Sequence, residues 1–289
     1  MPQIRLSIAA LVVTALASLA LVACGDGDNE SAASTTPTTA TACQKADLAL
    51  VTPGVLTVAT DSPAFPPYVI DDDPTNGKGF ESAVAYAIAD QLGFAPAEVV
   101  WIRVPFNSTY APGPKTFDFD VNQVSINAKR QKGADFSAPY YTTPQGVLVT
   151  GDSEFASAGT VGDLKEARIG VQVGTTSLEA VNAVIAPSKE VRVFNDSNDV
   201  VRALKNGQVD AIVTDLPTTI YLRDAEIEGS TLVGQFEAPG GDDWGAVLEK
   251  GSALTPCVSG AVTALADSGE LAAITKEWIG AEAPVLALQ

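Results

Sequence analysis

The chain has no histidine, a single methionine, three cysteines, and only 17 lysines and arginines against 35 aspartates and glutamates. Each shortage removes a class of chemistry. Without histidine, Ser-His-Asp and Cys-His nucleophilic sites and every histidine-ligated metal are excluded, and no metal or other cofactor is expected. A net charge of −18 repels a phosphate backbone, which argues against a nucleic-acid partner. Hydrophobic residues still make up 46% of the 289 positions, enough for packed cores and too many for a disordered chain. Single cores stop growing at roughly 250–300 residues, so two lobes are expected rather than one.

Charge is nearly absent from the first stretch. Arg5 is the one charged residue among residues 1–23, and the apolar and small-residue run that begins at Leu6 ends at Leu21-Val-Ala-Cys24. A short positive start, an apolar stretch and a small residue before the cut describe a secretory signal peptide over 1–23. A membrane-spanning helix is the alternative, since the run approaches the roughly 20 residues needed to cross a bilayer. Leu-Val-Ala-Cys resembles a bacterial lipobox, in which the cysteine becomes the new N-terminus and carries lipid. That resemblance implies lipidation at Cys24 and a chain anchored to the extracytoplasmic face of the cell membrane rather than spanning it. Residues 24–42 are rich in Gly, Ser, Thr, Ala and acidic side chains with no apolar periodicity, and read as a flexible tether. Removing the signal leaves 16 basic residues against 35 acidic, a net charge of −19, so attachment falls to the lipid. With Cys24 lipidated, Cys43 and Cys257 remain, an even number in an oxidising compartment, and are expected to form a disulfide. Two unpaired buried thiols are the alternative.

From Val55 onward, β-rich runs alternate with amphipathic stretches. Val55–Thr60, Val99–Val104 and the surroundings of Phe117–Ile126 read as strands, and Phe80, Val84, Ala87, Ile88 and Leu92 recur at helical spacing before Gly93. The alternation resumes after Gln145–Thr150, with strands at Arg168–Gln172, Glu190–Phe194, Val209–Val213 and Trp244–Leu248. Helices are expected from Gly174 through Val184, over Val200–Leu204, over Asp215–Leu222, and around Leu254–Leu265 and Leu271–Ile279. Such alternation predicts parallel βαβ units and hence α/β lobes. Ligands of such sheets bind beyond the carboxyl ends of strands, which points to Asp61–Tyr68, Phe106, Gln123–Arg130, Val173–Ser177 and Thr214–Pro217.

Phe117-Asp-Phe-Asp-Val-Asn-Gln-Val-Ser-Ile-Asn-Ala-Lys-Arg130, followed by Ala134-Asp-Phe-Ser-Ala-Pro-Tyr-Tyr141, resembles the polar amino-acid-binding proteins of ABC importers, bacterial solute-binding protein family 3. Gly79-Phe-Glu81, Gly170-Val-Gln-Val-Gly-Thr-Thr-Ser177, Gly207-Gln-Val-Asp-Ala-Ile-Val-Thr-Asp215 and Trp244-Gly-Ala-Val continue the resemblance in family order from about residue 50 to 280. It implies the type II periplasmic binding fold: two α/β lobes, each a mostly parallel sheet flanked by helices, joined by two crossing strands. The crossings are expected near Tyr140–Gly146 and Ala238–Trp244. Lobe 1 would then comprise 43–142 and 241–289, and lobe 2 143–240.

An α-amino acid carries two opposite charges, and desolvating both is costly unless each is paired. The resemblance implies Arg130 as the carboxylate-binding cation, whose planar fork suits a carboxylate better than a lysine would. Ser125 matches the family's hydroxyl and backbone site. Thr175 and Thr176, after Gly174 at an expected helix start, match the second lobe's hold on the same carboxylate. Asp215 matches the ammonium-binding aspartate. Its other reading is a helix N-cap, as a plain N-cap is for the threonines. Asp210 reads as structural. Phe65 and Phe106 match rings that sandwich the ligand side chain, with Tyr68 the alternative ring and core packing the alternative role. Gln123 occupies a position often Gly or Ser in relatives, and could reach the ligand or shrink the pocket. Asp61, Glu81, Asp242 and Asp243 could bring negative charge near the cleft. Gln123 and Gln172 lean the ligand towards glutamine or glutamate.

The resulting reading is a monomeric lipid-anchored receptor, not an enzyme, that captures a free polar amino acid and delivers it to an ABC permease. Two alternatives share the scaffold: a dehydratase for a prephenate- or arogenate-like acid, with Asp61 or Glu81 as its carboxylate, and a ligand-sensing module.

Overall fold

The computed structural model describes residues 43–280; the expected signal peptide, the tether with Cys24, and residues 281–289 lie outside the described residues. Ten strands form two sheets. In the first half of the chain they are β1 (Leu56–Thr60), β2 (Val99–Arg103), β3 (Phe119–Asp120), β4 (Ala134–Thr142) and β5 (Gln145–Thr150). There follow β6 (Ile169–Gln172), β7 (Arg192–Phe194), β8 (Ala211–Asp215), β9 (Ser230–Phe236) and β10 (Asp243–Glu249). One sheet has the order β2-β1-β3-β10-β4 and the other β7-β6-β8-β5-β9.

The two sheets share one plan. Three strands of each run parallel, β2-β1-β3 and β7-β6-β8, as the alternation of strands and helices requires. The other pairings are antiparallel: β10 with β3 and β4, and β5 with β8 and β9. Both sheets are therefore mixed, for a topological reason. β4 carries the chain out of lobe 1 and β10 brings it back, while β5 enters lobe 2 and β9 leaves it; outgoing and returning neighbours run in opposite senses. The crossings are Thr143–Pro144 and residues 237–242, and they touch where Thr143 N–H donates to the Asp242 carbonyl at 3.2 Å.

The apolar periodicity of the first helix is met. In α1 (Phe80–Gln91), Phe80, Val84, Ala87 and Ile88 are buried, with Leu92 just beyond, and Gly93 follows with φ +82°. They pack with Leu56, Val58, Phe119 and Leu248 of the sheet and with Val258 and Leu265 of α6 (Thr255–Ser268, numbered in chain order). Full burial of each such side chain is worth about 1.5–3 kcal/mol. Between these helices lie α2 (Phe106–Thr109), α3 (Thr176–Ala180), α4 (Ser197–Lys205) and α5 (Leu216–Tyr221), and α7 (Glu270–Trp278) follows α6. Lobe 2 buries Val147, Val149, Ile169, Val171 and Val213 on one face of its sheet and Leu148, Val200, Leu204 and Ile212 on the other. Asp210 is structural, paired with Arg168 through the Arg168 backbone N–H (2.7 Å) and Nε (2.9 Å).

Three expectations need correction. The strand over Phe117–Ile126 shrinks to Phe119–Asp120 plus an isolated bridge between Ser125 and Trp244, because Gln123 adopts φ +48° and breaks the extended run. The helix after Gly174 has five α-helical residues and continues as a π turn over Val181–Ile185. Asp215 ends β8 instead of opening the helix, which starts at Leu216.

Cys43 and Cys257 form a disulfide with their Cα atoms 5.4 Å apart, tying the first described residue to α6 across 214 positions. Closing so long a loop in the unfolded chain removes much of its entropy. Replacing both cysteines by serine is expected to lower the unfolding free energy by about 2–5 kcal/mol. Denaturant titration of the oxidised wild type against the variant checks this.

Candidate ligand-binding cleft

A cavity of about 310 Å³ opens between the two sheets, beyond the carboxyl ends of β1, β3, β6 and β8. Lobe 1 lines it with Phe65, Phe106, Gln123, Ser125 and Arg130, and lobe 2 with Thr175, Thr176 and Asp215. All eight residues singled out in the sequence thus face one space.

Arg130 owes its position to a local turn. Asn127 Oδ1 accepts the backbone N–H groups of Lys129 (3.1 Å) and Arg130 (2.9 Å), fixing the 3₁₀ turn Arg130–Lys132. Arg130 is 5% exposed, and its guanidinium lies 4.7 Å from the Tyr110 ring centre and 5.5 Å from that of Phe106 and donates to Ser125 O (2.6 Å) and Gly174 O (2.9 Å). Two of its five N–H groups are engaged with these carbonyls. Burial pulls its pKa down, and the Tyr110 and Asp242 side chains oppose that pull. Gly174 cannot be larger: its φ is +79°, and a Cβ there would strike Asn107 Oδ1.

Gln123 is held from behind. Its backbone N–H donates to Glu81 Oε1 (2.6 Å) and its side-chain amide to Glu81 Oε2, while the Tyr140 hydroxyl donates to Glu81 Oε1 (2.5 Å). The amide that could have reached a ligand is therefore engaged with Glu81. The φ of +48° at Gln123 lies in the left-handed region, which glycine adopts most readily. Beside it, Asn122 is 4% exposed, lines the cavity and leaves its Nδ2 without a hydrogen-bond partner.

The lobe 2 groups are not caps. Thr175 Oγ turns back to donate to Gln172 O (2.8 Å), and the Asp215 carboxylate makes no capping bond to α5. Instead, Gln145 Nε2 donates to Asp215 Oδ1 and to Asp242 Oδ2, each at 2.6 Å. Burial first, and then the neighbouring Asp242, hold the Asp215 carboxyl well above the usual carboxylate range; Gln145 and Arg130 pull the other way. Both Phe65 and Tyr68 line the cavity, so the two candidate rings do not exclude one another. Tyr68 packs edge-on against Trp244, with centroids 5.6 Å apart, and its hydroxyl lies 2.8 Å from Thr218 Oγ of lobe 2. With Tyr110 Oη donating to Gly174 O (3.2 Å) and Ser125 Oγ 3.3 Å from Thr176 Oγ, the lobes meet around the cavity.

Of the four acids suspected near the cleft, Asp61 lines it, Glu81 lies behind Gln123, Asp242 is buried at the crossing, and Asp243 accepts from Thr142 Oγ at 2.5 Å. Asp196 and Glu226 also line the wall, so four carboxylates with Asp61 and Asp215 face one guanidinium. Neither acid carried a motif in the sequence. The Gln145 link was also invisible there, because its partners stand 70 and 97 residues away. No group of three or more His, Cys, Asp or Glu among the described residues could hold a metal ion.

The description of bacterial extracellular solute-binding proteins, family 3, matches residues 56–281. The chain belongs to this family. It is 29% identical over 234 residues to the L-cystine-binding protein TcyJ of Escherichia coli (strain K12), covering 79% of this chain and 84% of that protein. Among solved structures, an ancestral arginine-binding protein bound to glutamine is 31% identical with a TM-score of 0.66, covering 78% of this chain and 98% of that one. The ancestral amino-acid-binding protein AncCDT-1, a precursor of cyclohexadienyl dehydratase, is 27% identical with a TM-score of 0.65, covering 78% and 95%. These neighbours establish the two-lobed α/β periplasmic binding fold.

Burial raises the pKa of Glu81 from 4.5 to about 7, against the donors Tyr140 and Gln123. An acid raised on folding favours the folded state while protonated and loses that contribution as pH rises through the folded value. The wild type is therefore expected to lose stability relative to Glu81→Gln between pH 4.5 and about 7. Unfolding free energies measured across that window check the difference in slope.

Proposed function

We propose that the protein captures a polar amino acid between its lobes, as the extracytoplasmic substrate-binding lipoprotein of an amino-acid ABC importer. The observation that carries this reading is the placement of Arg130 and Asp215, on opposite lobes, in the wall of one cavity. Arg130 binds the α-carboxylate through its free N–H groups, helped by Ser125 and by the start of α3 at Thr175 and Thr176. Asp215 takes the ammonium, and Phe65 and Phe106 enclose the side chain in a water-poor space where both pairings strengthen. The protein acts as a monomer, anchored through Cys24 to the outer face of the membrane, where a permease receives the ligand.

The named relatives handle cystine, arginine and glutamine. Within the glutamine or glutamate preference, the acidic wall favours glutamine. An anionic side chain would add one more carboxylate, beyond the ligand's own α-carboxylate, to the four that share the wall with Arg130. A dehydratase is the second reading, favoured by the likeness to AncCDT-1 and by Asp61 on the wall, whose carboxyl burial raises. Incubation with prephenate followed by its ultraviolet spectrum separates turnover from capture.

A thermal-shift series over the common amino acids and cystine tests capture, since ligand at 100 times its Kd stabilises by about 2.7 kcal/mol. Asp215→Ala and Arg130→Lys, which keeps charge but loses the fork, are expected to abolish the shift. Glutamine is expected to bind at least about tenfold more tightly than glutamate, because like charges in a dry site repel. Equal responses of both variants and the wild type to every compound would overturn the reading. Cys24→Ala is expected to move the protein from the membrane to the soluble fraction, read by fractionation and immunoblotting.

A further inference from the structure

We propose that Asp242 is a positioning residue for ligand capture: from the returning crossing it holds the ligand-facing groups of both lobes in register, so that they form one site only when the lobes are together. The proposal rests on the capture reading above.

Asp242 does not line the cavity, yet it is 1% exposed and surrounded by donors. Thr176 Oγ donates to it at 3.1 and 3.3 Å, and Gln145 Nε2 at 2.6 Å. Ser125 Oγ is the third donor and the second hydroxyl at this carboxylate, and it stands 3.3 Å from Thr176 Oγ. Ser125 belongs to lobe 1, Thr176 to lobe 2, and Gln145 to the first residue after the outgoing crossing. Gln145 passes the constraint on, since the same Nε2 donates to Asp215 Oδ1. One buried carboxylate thus reaches three of the groups assigned to the ligand, two directly and one through an amide.

Its place in the fold explains why this position suits the task. The backbone carbonyl of Asp242 accepts Thr143 N–H, so the residue lies where the two crossings touch, and the next residue opens β10. A rotation of lobe 2 about the crossings displaces Thr176 while leaving Asp242 at the pivot. The Thr176 link is therefore available only in the closed arrangement, and it adds to the contacts that favour closure around a ligand.

Charge adds a second role. Asp215 is faced by Asp242, Arg130 and Glu81, with Tyr68 and Tyr141 also close enough to feel its charge. Two carboxylates share one amide nitrogen, and Arg130 is the cation facing both. A ligand ammonium relieves that excess, so Asp242 makes Asp215 a stronger partner for a cation and a weaker acid. Without Asp242, Asp215 would remain ionised to lower pH.

The test measures binding of L-arginine, L-glutamine and L-cystine to the full chain by calorimetry between pH 4 and 9. Wild type, Asp242→Asn and Asp242→Ala are compared, with the unliganded melting curve of each recorded. Both variants are expected to raise Kd by about tenfold or more, as losing hydrogen bonds to a buried charge does. In Asp242→Asn the acid limb of the Kd profile is also expected to move to lower pH, a change that loss of packing alone would not cause. An acid limb in Asp242→Asn that coincides with the wild type overturns the proposal, whatever happens to Kd. If the wild type binds none of the three compounds, the capture reading fails and this proposal falls with it; if the wild type binds and the variants match it, this proposal fails alone.

Discussion

The guanidinium of an arginine that is only 5% exposed must be satisfied, and at Arg130 its partners come from both lobes. Arg130 donates to Ser125 O on its own side and to Gly174 O on the other, with the rings of Phe106 and Tyr110 against its face. An ionised group of this kind is tolerated inside a protein only when it is paired and hydrogen-bonded. Much else follows from that need. Gly174 must be glycine so that Asn107 and Tyr110 can approach it, and the turn capped by Asn127 must keep the arginine aimed across the gap. The sheets must also end at the same place, because the carbonyls that receive the guanidinium lie beyond the carboxyl ends of β3 and β6.

The acids around the cavity invert that balance. Burial raises both Asp215 and Asp242, Asp215 well above the usual carboxylate range, and Asp242 adds to the cost of ionising Asp215. A cation beside Asp215 favours its ionised form, which burial and Asp242 oppose. Arg130 supplies one such charge permanently.

What the sequence revealed and what it concealed divide by distance along the chain. The face of α1 was legible because 3.6-residue spacing places Phe80, Val84 and Ile88 on one side, and all three are fully buried. Arg130 was legible through its local motif, with Asn127 three residues before it capping the turn. The short β3 was not, because the positive φ at Gln123 is fixed by Glu81, 42 residues earlier, which holds its backbone N–H. The antiparallel halves of the sheets were hidden for a similar reason: alternation reports βαβ units, whereas the directions of β5 and β10 are set by where the chain crosses between lobes. The pairing of Cys43 with Cys257, separated by 214 positions, was reached only because counting left no other partners.

The same burial pattern bears on whether the cleft binds or reacts. A general acid or base must reach the substrate and must titrate near the working pH. Glu81 titrates near neutrality but is fully buried behind Gln123, with Gln123 and Tyr140 occupying its oxygens. Asp61 reaches the cavity, and burial raises its carboxyl even though the N–H of Ser62 (2.7 Å) and nearby Arg103 favour its ionised form. Glu81 instead fixes the strained backbone of Gln123, which lies two residues from Ser125 and carries the loop that delivers Arg130. A carboxylate spent on holding the frame serves recognition, whose demand is that the charged groups stay where the ligand will find them.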